Sequence, residues 1–328
     1  MRINWIDQLK GFAIFMVVYS HNFPFINDYI YSFNMPLFFI VSGFFHPKEQ
    51  TIKSIKKRAK SILIPYFLWA TILYVFWFLI GRKMGVSKTA NLSPMDNFKG
   101  VFFAQGDMAY MDWGIPMWFL PAVFSTFLVF YLIRLLSKSK SFQVFITLLI
   151  GVIGLTISYY FKYHYFWSCD VAMVAVVFYA FGFFSRVYLI DTKRGNSWWF
   201  ILLIGVIHIL LSTQNIKVDM YRSIYGNPLL FYLNGIIGSL FFILFFKKIP
   251  VSRFLSFLGK ITIPILALQL RAMSAIKLIL YLILGMTIFE FTELQKFYLA
   301  IIQVLLIIPI GWLINKYFPV LNGSYKKV

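Results

Sequence analysis

The chain has 328 residues, of which 60% are hydrophobic and 21% aromatic, and its mean hydropathy is +0.78. Soluble domains are roughly 45–50% apolar, and a water-soluble globule could not hide this much apolar surface. The composition therefore predicts a polytopic membrane protein. The net charge of +20 is expected to reflect basic cytoplasmic loops rather than nucleic-acid binding. The single cysteine, Cys169, excludes an intramolecular disulfide, and no metal-binding motif is present.

Apolar runs of membrane-spanning length predict an all-α integral membrane protein of about ten transmembrane helices, in one domain over residues 1–328. No small-residue cleavage site follows the N-terminal run, so we interpret it as a retained first helix and not as a signal peptide. The run 272–288 is short and contains Lys277, and it is predicted to be an interfacial or re-entrant helix after the ninth span. The predicted spans are 9–26, 30–46, 61–81, 115–135, 142–161, 171–189, 197–213, 228–246, 254–270 and 297–315.

The charges predict which side of the membrane each loop occupies. With the N-terminus inside, the inner segments carry 21 of the 31 basic residues and 3 of the 11 acidic ones, a net charge of +18. The outer segments carry 10 basic and 8 acidic residues, a net charge of +2. Because basic loops stay cytoplasmic, both termini are predicted to be cytoplasmic. An eleventh span would move the C-terminal "YKKV" outside, which these charges disfavour.

The first predicted helix, "DQLKGFAIFMVVYSHNF", carries Asp7, Lys10 and His21. Eleven helical steps separate Lys10 from His21, which returns the side chain to within about 20° of the same face, about 16 Å along the axis. Asp7 lies one turn before Lys10. Ionisable groups at such depth normally face a protein interior or a water-filled cavity, so His21 is a candidate general base. A structural histidine and an interfacial Asp7–Lys10 pair with a snorkelling lysine are the alternatives.

The second predicted helix contains a proline that could bend it, and the third begins with a basic segment. Pro36, in "YIYSFNMPLFFIVSGFF", frees backbone carbonyls, so a bend there would create a pocket beside His21; a packing kink is the alternative. In "TIKSIKKRAKSILIPYFLW", Ile52 and Ile55 share one helical face while Lys53 and Lys57 share another. This pattern predicts an amphipathic interfacial helix. Its basic residues would attract anionic lipids or hold the phosphates of a cytoplasmic anionic donor.

Five segments occur in the order and spacing typical of the membrane-bound acyltransferase 3 family: "DQLKGFAIFMVVYSH", "YSFNMPLFFIVSGFF", "KKRAKSILIPYFLW", "WFLPAVF" and "FLGKITIPILAL". The resemblance is strongest over residues 4–70, and the opening is most similar to the fucose 4-O-acetylase-like branch. It implies a multi-pass enzyme of the bacterial inner membrane. Such an enzyme moves an acyl group, usually acetyl, from cytoplasmic acyl-CoA to a hydroxyl of a surface or exported glycan or glycolipid. The implied partners are acyl-CoA as donor substrate, a carbohydrate or glycolipid acceptor and the lipid bilayer, with no nucleic acid, metal or resident cofactor.

The resemblance also implies roles for individual residues. His21 matches the family's catalytic histidine, with Lys10 as its basic partner and Asp7 beside it, and Trp118 matches the aromatic residue of the "WFL" motif. Two positions depart from the family pattern, because Asn34 and Gln269 stand where it often has histidine. Both amides form hydrogen bonds but take up no proton near neutral pH, which suggests that they position substrate. The basic cluster expected to bind the donor phosphates is Lys56, Lys57, Arg58 and Lys60.

The expected chemistry is direct acyl transfer. His21 would deprotonate an acceptor hydroxyl as it attacks the thioester, and donors would stabilise the developing oxyanion. A covalent acyl relay is an open alternative. So are a polysaccharide or lipid-linked sugar transporter, which would predict inverted repeats that we do not find, and a non-catalytic homologue, which the two departures from the family pattern would suit. The candidate oxyanion donors and substrate contacts are Asn34, Ser42, Tyr66 and Trp69.

Three further features have a functional and a structural interpretation. His208 lies in the middle of a span, so it is a functional candidate or a packed, hydrogen-bonded histidine. Asp112 and Trp113, in the outer loop 81–114, would stack against and hydrogen-bond a sugar or belong to a solvated loop. Arg222 and Arg271 are predicted to face outward, where they could meet a lipid-linked diphosphate.

Overall fold

The computed structural model describes residues 3–83, 85–104, 106–161, 165–191 and 197–325. Within these ranges the regular structure is helical, apart from an isolated bridge between Asp219 and Ile224. Short 3₁₀ turns at Ile115–Trp118 and Met220–Arg222 lie in two of the connections. The α-helices are α1 Asn4–Ser20, α2 Asn27–Phe44, α3 Ile52–Leu79, α4 Gly85–Thr89, α5 Pro94–Phe103, α6 Met108–Met111, α7 Phe119–Leu136, α8 Lys140–Tyr160, α9 Cys169–Arg186, α10 Trp198–Ser212, α11 Pro228–Lys248, α12 Arg253–Lys260, α13 Thr262–Leu284 and α14 Glu293–Tyr317.

Seven helical segments among the described residues are long and apolar enough to cross a membrane; they contain α3, α7, α8, α9, α11, α13 and α14. The apolar helix α10 has only 15 residues. Helix α1 has 17 residues and includes Asp7 and Lys10, and α2 begins with Asn27 and Asp28. The prediction of an all-helical, multi-pass membrane protein is thus confirmed. A count of ten spans stays a prediction, as does the side on which the termini lie, and residues 326–328 are outside the described ranges.

The predicted boundaries of the ninth span were wrong. The segment 254–270 is not one helix, because the chain leaves helical geometry at Ile261 (φ −117°, ψ 29°) between α12 and α13. The segment 272–284 is not a separate re-entrant helix either, since α13 continues through it to Gly285. Arg271 does not end the helix because its guanidinium donates to the carbonyls of Asp112 and Trp113, at 2.9 and 3.1 Å. The charge of Arg271 is therefore satisfied inside the protein, within a continuous helix.

The amphipathic segment before the third span is also continuous with that span. Helix α3 has 28 residues and begins at a capping box in which Thr51 and Ser54 exchange side-chain and backbone hydrogen bonds. This arrangement satisfies donors that a helix start leaves free. The basic residues lie on its first turns, before the apolar part of the same helix, and their location at the membrane interface stays a prediction.

Glycines set the closest helix contacts in the structure. A Cβ added to Gly43 of α2 would overlap the carbonyl of Tyr179, and one added to Gly182 of α9 would overlap the carbonyl of Ile40. Helices α1 and α12 meet in the same way, through Gly11 and Gly259. Small residues let membrane helices approach to backbone contact. These two contacts fix α2 against α9 and α1 against α12.

The antiparallel helices α1 and α2 define two ends of the helix bundle. We call the end where α1 finishes and α2 begins the His21 end, and the end where α2 finishes and α3 begins the Arg58 end. The connection 213–227 between α10 and α11 lies at the His21 end, where the Lys217 ammonium is 5.1 Å from the centre of the Tyr31 ring. Helix α2 remains helical through Pro36.

Candidate active site

A pocket at the His21 end of the bundle encloses about 630 Å³ of empty space, counting its open mouth. Its walls come from the end of α1, the first half of α2, the 3₁₀ turn before α7, the 213–227 connection, and Leu266 of α13. We call it the His21 pocket. Its polar and aromatic lining is Ser20, His21, Tyr31, Asn34, Trp118, Phe119, Asp219 and Tyr221.

His21 is the residue that ends α1. The helix stops at Ser20, and Phe23 adopts a positive φ of 54° in the turn that follows. The expectation that His21 lies inside a longer helix, toward the middle of a span, was therefore wrong. The ring Nδ1 is 2.7 Å from the carbonyl oxygen of Val17. Because a carbonyl only accepts, Nδ1 carries a hydrogen, and the neutral ring then has its lone pair on Nε2. Within the described residues Nε2 has no hydrogen-bond partner, so it can accept a proton.

Asn34 holds α2 to α1 next to His21. With its amide oriented so that both groups are satisfied, its nitrogen donates to the carbonyl of Ala13 at 3.2 Å and its oxygen accepts from the amide of Val17 at 3.3 Å. Val17 also provides the carbonyl that His21 binds. The side chain of Asn34 is thus both a pocket wall and a clamp on the turn of α1 that orients the imidazole.

Aromatic rings make a second wall of the pocket. Trp118 ends the 3₁₀ turn before α7, and its ring centre is 6.3 Å from that of Tyr221 and 5.9 Å from that of Phe119. Of these rings Trp118 was predicted from the sequence, as part of the "WFL" motif. The structure brings it into the same pocket as His21 and Asn34, although nearly 100 residues separate His21 from Trp118.

Gln269 lies on α13 with both amide atoms buried and without a hydrogen-bond partner among the described residues. It is three residues after Leu266, which lines the His21 pocket. Residues three apart share a helix face, so Gln269 lies beside the pocket-lining part of α13, although it is not itself one of the lining residues. A buried amide with no partner is costly in a folded protein, which makes Gln269 a candidate ligand contact.

The remaining predicted residues lie away from the His21 pocket. Asp7 and Lys10 are near the opposite end of α1, where the Lys10 ammonium is 3.7 Å from the Asp7 carboxylate. The Tyr66 hydroxyl donates to the carbonyl of Val101 at 2.9 Å, and the Trp69 indole donates to that of Leu321 at 2.9 Å. Both of these side chains are buried, and in this structure their hydrogen-bond donors hold the fold together.

At the Arg58 end, Arg58 of the predicted basic cluster contacts Ser42, a predicted substrate contact. The guanidinium of Arg58 donates a short hydrogen bond to the hydroxyl of Ser42, and its Nε is buried without a partner among the described residues. Lys56, Lys57 and Lys60 are exposed on the same end of α3. About 12 Å of α2 separates Ser42 from Asn34, given the rise of 1.5 Å per residue. The basic cluster of α3 and His21 therefore lie at opposite ends of the bundle.

His208 and the 81–114 loop, two of the three further features, are packed against other parts of the protein. The His208 ring is buried, and its Nδ1 lies 3.2 Å from the amide oxygen of Asn234, away from the His21 pocket. The described part of the 81–114 loop is folded onto the bundle: the Asp112 carboxylate accepts from the Trp77 indole at 2.6 Å, and Trp113 is fully buried. No group of three or more metal-binding side chains occurs in the described part of the chain.

Sequence reasoning missed Asp219, Tyr31 and Tyr221 as pocket residues. Burial raises the pKa of Asp219 from 3.8 to about 6, against the opposing charges of Arg222 and Lys217. The one signal in the sequence is an acidic residue between two basic ones in "KVDMYR". That pattern is also typical of an ordinary solvated turn, so it could not have identified the site by itself.

The comparisons with known proteins identify the family of the chain. The model of acyltransferase 3, described as an acyltransferase domain, matches residues 3–319. No curated protein and no solved structure matches the chain. The match is to the family as a whole, and the similarity to the fucose 4-O-acetylase-like branch stays a prediction. Since the match covers nearly the entire sequence and the helices are those of a multi-pass membrane protein, the chain belongs to the acyltransferase 3 family of acyltransferases.

Proposed function

We propose that the protein is an O-acyltransferase that moves an acyl group, expected to be acetyl, from acyl-CoA to a hydroxyl of a cell-surface or exported glycan or glycolipid. The observation that carries this proposal is the state of His21. Its Nδ1–H is bound by the Val17 carbonyl, and its Nε2 is free in a pocket walled by aromatic rings. An imidazole held in this tautomer is suited to act as a general base toward a hydroxyl.

In the proposed reaction, Nε2 of His21 takes the proton of the acceptor hydroxyl while that oxygen attacks the thioester carbonyl. The new C–O ester bond forms, the C–S bond breaks, and the imidazolium returns its proton to the leaving thiolate. The oxyanion formed on the way needs a hydrogen-bond donor. The unpartnered amide of Gln269 is the best candidate among the predicted substrate contacts, because the donors of Asn34, Tyr66 and Trp69 are already engaged.

The donor is proposed to enter from the Arg58 end. Lys56, Lys57 and Lys60 present exposed ammonium groups there, and Arg58 has a buried nitrogen without a partner among the described residues. Such groups bind phosphates well. The acyl end of the donor would then reach inward along α1 and α2 toward His21. This division assigns phosphate binding to one end of the bundle and acyl transfer to the other.

The test compares wild type with His21→Ala, each purified in nanodiscs, using radiolabelled acetyl-CoA and a glycan extract of the host. Removing a general base is expected to lower transfer of label to glycan by about 10²–10⁴-fold without changing yield or thermal stability. His208→Gln is the matched control, since His208 lies on α10 outside the pocket. Transfer that survives in His21→Ala would remove His21 from the mechanism, and an absence of transfer by the wild-type protein would refute the proposed activity.

A further inference from the structure

Asp219 lines the His21 pocket but plays no part in the mechanism above. The residue is 7% exposed and lines the pocket, and the described residues form no hydrogen bond to its carboxylate. Its nearest opposite charge is Arg222, whose Nε is 3.9 Å from Oδ2. A buried carboxylate normally accepts several hydrogen bonds, because leaving it without them is costly. The carboxylate of Asp219 is therefore available to accept hydrogen bonds from a ligand in the pocket.

Hydrogen bonds hold the backbone of the turn that carries Asp219 in place. Its amide donates to the carbonyl of Ile224 at 2.8 Å, and the amide of Ile224 donates back at 3.0 Å. Ser223, in the left-handed conformation (φ 56°), donates from its hydroxyl to the Asp170 carboxylate at 2.9 Å. A turn whose backbone is fixed in this way loses little conformational entropy when a ligand binds, which favours affinity for the ligand.

The neighbouring cations are directed toward aromatic rings. Lys217 lies 5.1 Å from the centre of the Tyr31 ring, and the Arg222 guanidinium lies 5.1 Å from that of Tyr221. The pocket thus presents a charged acceptor beside the rings of Tyr221 and Trp118. A pyranose matches this lining, since its C–H face is apolar and its edge carries hydroxyl donors. An aromatic wall with a few placed polar groups is the common form of a small-molecule site.

We propose that Asp219 is an acceptor-binding residue whose carboxylate accepts hydrogen bonds from hydroxyls adjacent to the one that is acylated. The pyranose ring would pack against Trp118 and Tyr221, with its reacting hydroxyl at Nε2 of His21. This inference rests on the proposed function and narrows its substrate class to sugars with a free neighbouring hydroxyl. A site built to bind a hydroxyl strongly rejects an analogue that lacks it, because the buried acceptor is then left unpaired.

The experiment measures sugar binding separately from chemistry. Full-length protein in nanodiscs is titrated with the methyl pyranosides of fucose, glucose, galactose and mannose, and with their monodeoxy derivatives, and binding is followed by saturation-transfer NMR. We expect at least one glycoside to bind to the wild-type protein and one of its monodeoxy forms to bind about 10–100-fold more weakly. The affinity of Asp219→Asn for the parent glycoside should be lower than that of wild type by a similar factor. Asp28→Asn, an exposed carboxylate outside the pocket, is the matched control and should bind like wild type.

A second variant and a second assay separate the possible failures. Asp219→Glu keeps the charge but moves the carboxylate by one methylene, so it should bind more weakly than wild type while unfolding at a similar temperature. Equal affinity of wild type and Asp219→Asn for every glycoside would overturn the inference, and so would a wild-type protein that binds none of them. Glycoside binding that depends on Asp219, without any acetyl transfer, would instead refute the proposed activity and leave the sugar site standing.

Discussion

Asn34, His21 and Asp219 are among the polar side chains that line the His21 pocket, and the fold engages each of them to a different extent. Asn34 has both amide groups engaged by the backbone of α1. His21 has one nitrogen engaged and one free. Asp219 has only a long ion pair to Arg222 among the described residues. Groups that the fold leaves without a hydrogen-bond partner are available to a substrate. We therefore propose a structural role for Asn34, proton transfer for His21 and substrate recognition for Asp219.

This assignment predicts an effect of Asp219→Asn on stability. A carboxyl whose pKa rises from 3.8 to about 6 on folding favours the folded state while it is protonated, and its stabilising effect is lost as the pH rises through that range. Asp219→Asn should therefore match wild type near pH 4 and exceed its free energy of unfolding above pH 6, by up to about 2 kcal/mol after screening by Arg222 and Lys217. Thermal unfolding at a series of pH values measures the difference.

Asp28→Asn is the control, because that carboxylate is exposed outside the pocket. If Asp219→Asn were instead less stable than wild type at neutral pH, the carboxylate would have a structural partner, and its role in recognition would be in doubt. The other groups near Asp219 are Lys217, Arg222, Tyr31 and Tyr221. The two cations lower its pKa and burial raises it, so the change between pH 4 and 6 follows from burial.

At the scale of the helices, the site depends on two contacts that only glycine permits. Gly43 and Gly182 bring α2 and α9 to backbone contact, while Gly11 and Gly259 do the same for α1 and α12. Helix α2 carries Asn34 toward the pocket at one end and Ser42 toward Arg58 at the other. A shift of α2 would therefore disturb both ends of the proposed reaction path at once.

Gly182→Leu should consequently destabilise the protein more strongly than most single substitutions. The added side chain would overlap the backbone of Ile40, which cannot move aside as a flexible side chain can. We expect a loss of at least about 3 kcal/mol, observed as a low yield of monodisperse protein and a lowered unfolding temperature. Val187→Leu, at the exposed end of the same helix, is the control and should behave like wild type. Normal stability of Gly182→Leu would show that α2 and α9 can separate at little cost.

At the scale of the whole molecule, the exposed basic side chains of α3 and the His21 pocket lie at opposite ends of the bundle. The exposed ammonium groups of α3 lie at the Arg58 end, whereas the His21 pocket opens at the other end. In an enzyme whose donor is charged and whose acceptor is a neutral sugar, this separation would let each substrate approach from its own side of the membrane.

Reversing the exposed charges tests this division. Lys56→Glu with Lys57→Glu should raise the KM for acetyl-CoA about tenfold or more, because two phosphate contacts become repulsive, and the KM for the glycan acceptor should not change. Lys138→Glu is the matched control, since Lys138 is exposed in the α7–α8 connection. A KM for acetyl-CoA that stays at the wild-type value would indicate that these lysines anchor the protein to anionic lipids.

Much of the fold could be predicted because hydropathy and helical periodicity are local properties of the chain. Nine of the ten predicted spans each overlap one α-helix of at least 15 residues, whereas 254–270 crosses the break between α12 and α13. His21 and the basic cluster of α3 were recognised from their spacing in a family motif. The break at Ile261 could not be predicted, because an apolar run continues across it and Arg271 finds its partners in the 81–114 loop. The helical position of His21 was also wrong, since a turn that hydropathy does not register ends α1 at Ser20.

The sequence by itself determined that this protein is a helical membrane protein of a recognisable acyltransferase family, with a histidine and a basic segment at known positions. Only the tertiary structure decided which residues meet. It joined Asp219 to His21 across nearly 200 residues, engaged both sides of the Asn34 amide, and separated the basic cluster from the pocket. The physical reason is that hydropathy and charge act over a few residues of chain, whereas a pocket forms where helices distant in sequence pack together.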